Sequence, residues 1–450
     1  MPSDDRLDER AIRAEVLRLG IPALLTLLAE PLFLLADTAI IGHLGTAPLA
    51  GLAIAGTILG TAVGIFVFLA YATTALVARR LGAGAHDQAL SAGLDGLWLA
   101  LILGALTVAV LLPTSGPLVA SFGAGPEVNV QAEIYLRISL IGIPAMLVVL
   151  ALTGVLRGLQ DTTTPLIAAA AGFGANIVLN LVLVHGVGLG IAGAAWGTVI
   201  AQVGMALGLG VVVVRAARHH GASLRPAPLA VLRAARDGLP LLIRTLALRA
   251  VIVLTTWVAA GFDEVTLAAH HVTWTIWTFL VFALDALAIA AQALIGKALG
   301  AGDARAARAL TALMTRWSIQ FGVVLGVVIA LLAPVLPLLF TTDPGVRAAL
   351  VLGLLVVAAG QPIGAYAFLL DGVLIGAGDA RWLAWAQVGL LIAYLPVVGL
   401  LAATTDLLAA AGAGLALAGI WAGFSVFMLL RAAVLGHRAR SDTWLVTGMR

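Results

Sequence analysis

The sequence predicts an all-α integral membrane protein, twelve transmembrane helices in two six-helix bundles. Hydropathy and an internal repeat predict it. The 450 residues are 62% hydrophobic and 10% charged, with mean hydropathy +1.11, against roughly 45–50% and 25% in a soluble domain. Nearly every charge falls in a short gap between long apolar runs. Twelve runs cover about 16–40, 49–78, 90–113, 133–156, 165–185, 190–214, 238–260, 265–296, 309–339, 347–375, 382–403 and 407–434. Each can cross a hydrocarbon core about 30 Å thick as a helix. Several are longer, which predicts tilt or extension beyond the bilayer.

The repeat has an offset of 218 residues. Ile143–Asp161 reads IPAMLVVLALTGVLRGLQD, and Gln361–Asp379 reads QPIGAYAFLLDGVLIGAGD. Pro144/Pro362, Gly154/Gly372, Val155/Val373, Leu156/Leu374, Gly158/Gly376 and Asp161/Asp379 coincide. The same shift aligns Arg18, Gly20 and Pro22 with Arg236, Gly238 and Pro240, and Leu81-Gly82-Ala83-Gly84 with Leu299-Gly300-Ala301-Gly302. A repeat in an apolar chain is the signature of a transporter built from two equivalent halves. With six helices each, both halves enter from the same side, which predicts a pseudo-twofold axis along the membrane normal and a cleft between them. The expected division is 1–214 (helices 1–6), a polar cytoplasmic linker 215–237, and 238–450 (helices 7–12).

Charge sets the orientation. With the N-terminus inside, inner segments carry 21 Lys and Arg and outer segments only Arg137 and Arg347. That bias predicts a multi-pass protein of the plasma (bacterial inner) membrane with both termini cytoplasmic. The inner count includes Arg431, assigned to the C-terminal tail. The basic residues are dispersed over seven short segments, which gives no reason to expect a nucleic-acid partner. Mixed charges precede the first run and no small-residue cleavage site follows it, unlike a signal peptide. The absence of cysteine excludes disulfides and thiolate-bound metal.

The first run carries Glu30-Pro31-Leu32-Phe33-Leu34-Leu35-Ala36-Asp37-Thr38-Ala39-Ile40-Ile41-Gly42-His43-Leu44-Gly45. With Leu156-Arg157-Gly158-Leu159-Gln160-Asp161-Thr162 and Leu370-Asp371-Gly372-Val373, it resembles the multidrug and toxic compound extrusion (MATE) family. The first motif, Leu284-Asp285-Ala286 and Ala291-Gln292-Ala293 are most similar to the DinF-like branch. The resemblance covers about 14–435. It implies the MATE/MOP-type fold and cation-coupled export of organic cations, other amphipathic compounds or, in plant relatives, citrate. It further implies that Asp37, Asn176, Asn180 and Thr198 occupy the family's N-lobe cation site, although some archaeal relatives carry an aspartate where Asn180 stands.

Intramembrane carboxylates are costly and are kept for function or for a structural pair. Asp37 lies about 17 residues into the first run, roughly 25 Å from its inner end. No basic residue matches its depth in that half. Its expected neighbours are neutral: Asn176 and Asn180, four residues apart on one helix face, and Thr198. A carboxylate among amides and hydroxyls can exchange protons reversibly, and the same oxygens at Asp37, Asn176 and Asn180 can hold Na⁺. The alternative is that Asp37 pins the first helix structurally. Glu30, two turns below, either shares the titration or faces cleft water. Pro22 and Pro31 flank this stretch, each removing a backbone hydrogen bond, and mark a hinge. Helix bending on protonation and direct competition for Asp37 both remain possible couplings.

The second half pairs differently. Arg249 and Asp285 match in depth at roughly 16 Å, and Arg244 matches Asp371 nearer the inner end. These pairings imply locked or substrate-facing carboxylates, with proton coupling at one of them as the alternative. Trp257, Trp274 and Trp277 could stack on a flat cation or serve as interfacial residues; Gln292 lies on the same helix as Asp285.

Gly188–Gly193 fits G-x-G-x-x-G, but no βαβ unit surrounds it and no Walker motif exists, so no nucleotide partner is expected. His270 and His271 are adjacent on a helix and do not face one ion, so no resident metal is expected. The reading is a non-enzymatic antiporter, exporting a small molecule in exchange for H⁺ or Na⁺, without a cofactor, monomeric in the lipid bilayer. The alternatives are a lipid-linked oligosaccharide flippase, for which Arg244 and Arg249 are few cationic groups, and a membrane-embedded enzyme, which the scattered histidines disfavour.

Overall fold

Prolines and glycines divide the apolar runs into helices. The computed structural model describes the backbone of residues 9–448 and the side chains of 12–29, 31 and 36–448. The helices are α1 (Glu9–Gly42), α2 (Thr46–Ile65), α3 (Phe68–Gly82), α4 (His86–Ala120), α5 (Pro126–Ile141), α6 (Ile143–Gly158), α7 (Thr163–Asn180), α8 (Ile191–His219), α9 (Pro228–Ala260), α10 (Glu264–Gly300), α11 (Ala304–Leu332), α12 (Pro337–Phe340), α13 (Pro344–Gly376), α14 (Ala380–Ala403), α15 (Thr405–Ala410) and α16 (Ala413–Arg440). No strand occurs among the described residues. A π-helical segment, Leu181–Gly186, continues α7. Ten spans are long and apolar enough to cross a membrane, or eleven when α5 and α6, bent by 49°, count as one. Helix α1 accounts for the first apolar run.

Several boundaries differ from the sequence reading. The run 49–78 is interrupted between α2 and α3 at Phe66–Val67, and 133–156 is broken at Gly142. The expected linker 215–237 is largely helical: α8 continues to His219 and α9 starts at Pro228. Proline is suited to a first helical position, where its missing N–H costs nothing, and helices project beyond their apolar runs.

Contacts divide the chain chiefly into an N-terminal unit, Leu17–Leu239 with Gly300–Gly302, and a C-terminal unit, Pro240–Leu299 with Asp303–Thr447. Within each, helices cross at the repeated glycines. A Cβ on Gly154 or Gly158 would collide with the carbonyl of Ala70 or Thr74 on α3. A Cβ on Gly372 or Gly376 would collide with the carbonyl of Ala288 or Gln292 on α10, 218 residues on in every case. Gly104 against Pro144 and Gly322 against Pro362 form a second equivalent pair. Small residues four apart let backbones touch where lipid supplies no hydrophobic drive between helices.

Turns repeat too. Gly84 and Gly302, at φ 77° and 81°, take the left-handed conformation that ends α3 and α10. Gly378 has φ 73°, whereas its counterpart Gln160 has φ 63° and carries a side chain there. Asp161 Oδ1 accepts from Thr163 N and Thr164 N, starting α7. Asp379 instead pairs with Arg438 at 2.7 Å.

Helix α1 runs continuously through Pro22 and Pro31. Pro22 lacks an N–H, so the Arg18 carbonyl one turn earlier loses its helical donor. Thr162 Oγ1 donates to that carbonyl at 3.3 Å.

Candidate functional site

The N-terminal unit contains a buried polar network on α1, α7 and α8. Asn180 Nδ2 donates to Asp37 Oδ1 and, at 3.0 Å, to Asn176 Oδ1. Asn176 Nδ2 donates to Thr198 Oγ1 at 3.1 Å, and Thr198 Oγ1 donates to the Ala194 carbonyl at 3.1 Å. Asn176 and Asn180 reach one centre because residues four apart share a helix face. Asp37, Asn176 and Asn180 are each at most 2% exposed, and Thr198 is also buried. Among the described residues no cation pairs with Asp37. Asn180 Oδ1 has no hydrogen-bond partner. Glu30 lies outside the described side chains.

Three features of this network were missed in the sequence. Tyr135 of α5 is buried beside Asp37, Thr198 and Ser139; a lone tyrosine gives no signal of its partners. Gly197 of α8 makes room for Asn180, whose Oδ1 a Cβ would strike; among 51 glycines it does not stand out. The π-helical segment begins immediately after Asn180. Such segments are rare and often occur at functional sites.

The C-terminal unit holds a charge cluster. Arg244 Nε donates to Asp371 Oδ1 at 3.0 Å, and Arg244 Nη2 donates to Oδ2. The planar guanidinium fork matches a carboxylate in this way. Arg431 Nη2 lies 3.3 Å from Asp371 Oδ1, and its guanidinium sits 5.2 Å from the Phe368 ring centre. All three charged residues are buried, and Asp285, partly exposed, acts on Arg431 through its charge.

Two expectations are corrected here. Arg431 does not belong to a cytoplasmic tail; it is 2% exposed within α16. Arg249 is exposed and forms no ion pair with Asp285 among the described residues. Matching depth does not fix azimuth: five residues turn a helix by about 140° beyond one revolution. With Arg244 turned toward Asp371, Arg249 points elsewhere.

The aromatic candidates separate. Trp257 is 61% exposed. Trp274 and Trp277, 4.8 Å apart by ring centres, pack with Trp421 and Phe424. Gln292 is buried, its carbonyl beneath Gly376. His270 is buried against Trp274 and Trp421, while His271 is exposed.

The MatE family profile matches residues 22–182 and again 240–398, starts that differ by the repeat offset, 240 − 22 = 218. The chain belongs to the MatE family. Family members are transporters rather than enzymes. The chain is 33% identical to Protein DETOXIFICATION 44, chloroplastic, of Arabidopsis thaliana, over 96% of this chain and 84% of that protein. It is 31% identical to DNA damage-inducible protein F of Escherichia coli (strain K12), over 95% and 92%. In structure it is similar to a MOP superfamily transporter from Pyrococcus furiosus, with TM-score 0.85, 22% identity and 95% coverage of each chain. That likeness establishes the MATE fold, and the MatE chain is a multi-pass membrane transporter.

Proposed function

We propose that the chain is a secondary active antiporter that exports organic cations or amphipathic compounds in exchange for H⁺ by alternating access. The observation that carries this reading is Asp37, buried and bonded to a neutral amide with no cation beside it. Nothing cationic holds its charge, and amides and hydroxyls can rearrange around either protonation state, so the group can accept and release a proton. The detoxification name of the plant relative supports a small-molecule export role.

In the proposed cycle, protonation removes the charge that the Asn180 amide stabilises. Helix α1, weakened at Pro22 and Pro31, then changes its bend, and the substrate site in this unit is altered. Substrate and proton thereby oppose one another through one helix, as antiport requires. The proposed setting is the bacterial inner membrane, with both termini cytoplasmic, as a monomer without a cofactor.

Sodium is the second reading, favoured by Asn180 Oδ1. With the Asp37 carboxylate, the Asn176 carbonyl and the Thr198 hydroxyl, it makes a set of hard oxygen donors. The flippase alternative finds less support, because Arg244 is committed to Asp371. Proteoliposomes with pH and Na⁺ gradients imposed separately test these readings. Substrate efflux driven by the pH gradient alone, and lost in Asp37→Asn, is the expected result. Efflux driven only by Na⁺ would replace H⁺ as the coupling ion, and efflux indifferent to both gradients would remove the antiport reading.

A further inference from the structure

Helices α10, α13 and α16 of the C-terminal unit enclose a pocket that the charge cluster does not use. Trp421 and Phe424 form its buried floor, and the part-exposed rings of Trp277 and Phe368 form its rim. Two polar atoms in this apolar lining lack partners: Trp421 Nε1, a donor, and Gln361 Oε1, an acceptor. Both side chains are at most 3% exposed. Gln361 Nε2 is already engaged, donating to the Val357 carbonyl at 3.1 Å, which leaves its oxygen free. Buried polar atoms are nearly always paired, so two orphans on one pocket wall require an explanation.

The glycines of α13 give a second, independent indication. Gly353, Gly372 and Gly376 lie so close to neighbouring helices that a Cβ would clash. Gly360 and Gly364 do not: a Cβ at either would meet nothing nearer than 3.5 Å and 3.7 Å respectively. These two glycines therefore leave space rather than permit helix contact, and both line the pocket.

We propose that this pocket binds an uncharged planar aromatic substrate carrying both a hydrogen-bond donor and an acceptor. Its ring stacks on Trp421, Phe424 and the rim rings. Its acceptor takes the Trp421 N–H, and its donor serves Gln361 Oε1. None of the residues lining the pocket is charged. A cation on Phe368 would face Arg431, which already lies over that ring. An anion would meet a guanidinium already offset by Asp371 and Asp285. The cavity as it stands is about 20 Å³, the size of a water site. Entry of a ring therefore moves Trp277 or Phe368 outward, which their partial exposure permits.

The proposal rests on the transport reading and deepens it by naming a substrate class. The test is equilibrium binding to the purified full-length protein in lipid nanodiscs, read by energy transfer from tryptophan. Three tricyclic probes of one shape are compared: acridone (neutral, one N–H and one C=O), 10-methylacridinium (cation) and 9-anthracenecarboxylate (anion). Acridone is expected to bind tightest. Trp421→Phe, which keeps a ring but loses the N–H, Gln361→Leu, and Gly364→Leu, which fills the pocket, are each expected to weaken it about tenfold or more, because each leaves a polar group unpaired or removes the space. Asp37→Asn is expected to bind acridone like the wild type. No acridone binding by the wild type, unchanged affinity in the three variants, or tighter binding of either charged probe through the same residues would each overturn the proposal. Loss of gradient-driven transport with binding intact bears on coupling alone. Conversely, transport retained by Asp37→Asn would remove the coupling reading and leave the pocket standing.

Discussion

Thr255 Oγ1 lies 2.9 Å from Tyr394 Oη in the C-terminal unit, at the positions 218 residues beyond Asp37 and Asn176. At the counterparts of Asn180, Thr198 and Tyr135 stand Val398, Ala416 and Gly353. The repeat preserves the scaffold of the polar site and replaces its ionisable member with a hydroxyl. One unit therefore offers an isolated carboxylate, and the other a carboxylate, Asp371, held by two arginines.

Installing an acid in the second scaffold should not create a coupling site. Thr255→Asp is expected to cost stability, because Val398 and Ala416 supply no amide or hydroxyl to an incoming carboxylate. In the Asp37→Asn background it should restore no efflux. Proteoliposome transport and thermal unfolding in detergent check this; recovered transport would show that the scaffold alone suffices.

Asp37→Asn itself should abolish gradient-driven efflux with little change in folding. The amide is isosteric and the site is neutral, so no buried charge loses its partner. Efflux at the wild-type rate would remove Asp37 from coupling.

The charge cluster makes an ordered prediction. Asp371→Asn should destabilise by about 3–5 kcal/mol, since it leaves two buried guanidiniums without their shared carboxylate. Arg431→Met should cost less, because Arg244 still holds Asp371 through both oxygens. Arg249→Ala, at an exposed position, should fall within about 0.5 kcal/mol of wild type. Thermal unfolding of the three variants tests the order, and a large loss in Arg249→Ala would contradict it.

Thr162→Val should act on the first helix from outside it. It removes the hydroxyl that donates to the Arg18 carbonyl, the acceptor freed by Pro22. An unpaired buried acceptor costs about 1–3 kcal/mol. The expected outcome is lower stability together with slower efflux, whereas Pro22→Ala combined with Thr162→Val should recover stability by restoring the helical donor. If the two changes simply add, the hydroxyl does not serve that carbonyl.

Helix glycines provide a paired test of the repeat. Gly154→Val and Gly372→Val should both disrupt folding, since each side chain would enter the backbone of the helix it crosses. Gly364→Ala, where a Cβ meets only ordinary contacts, should fold normally. Yield and monodispersity in detergent are sufficient readouts.

The sequence by itself determined that the chain is helical, spans a membrane repeatedly and is built from a repeat. Hydropathy over twenty-residue windows reports burial in lipid, and coincidences such as Gly154/Gly372 record backbone contacts that only glycine allows. Depth along a helix was equally legible, which is why Asp37 could be set beside Asn180, and Arg244 beside Asp371, by counting residues. Tertiary structure decided azimuth and interruption. Arg249 matches Asp285 in depth but faces away, and Arg431, assigned to the tail by hydropathy, turned inward to Asp371. Tyr135 and Gly197 joined the Asp37 network from helices whose relative rotation no periodicity encodes. The orphaned atoms of Trp421 and Gln361 likewise became visible only once packing had placed every other group. Local pattern fixes what a residue is and how deep it lies; which face meets which is set by the simultaneous packing of all the helices.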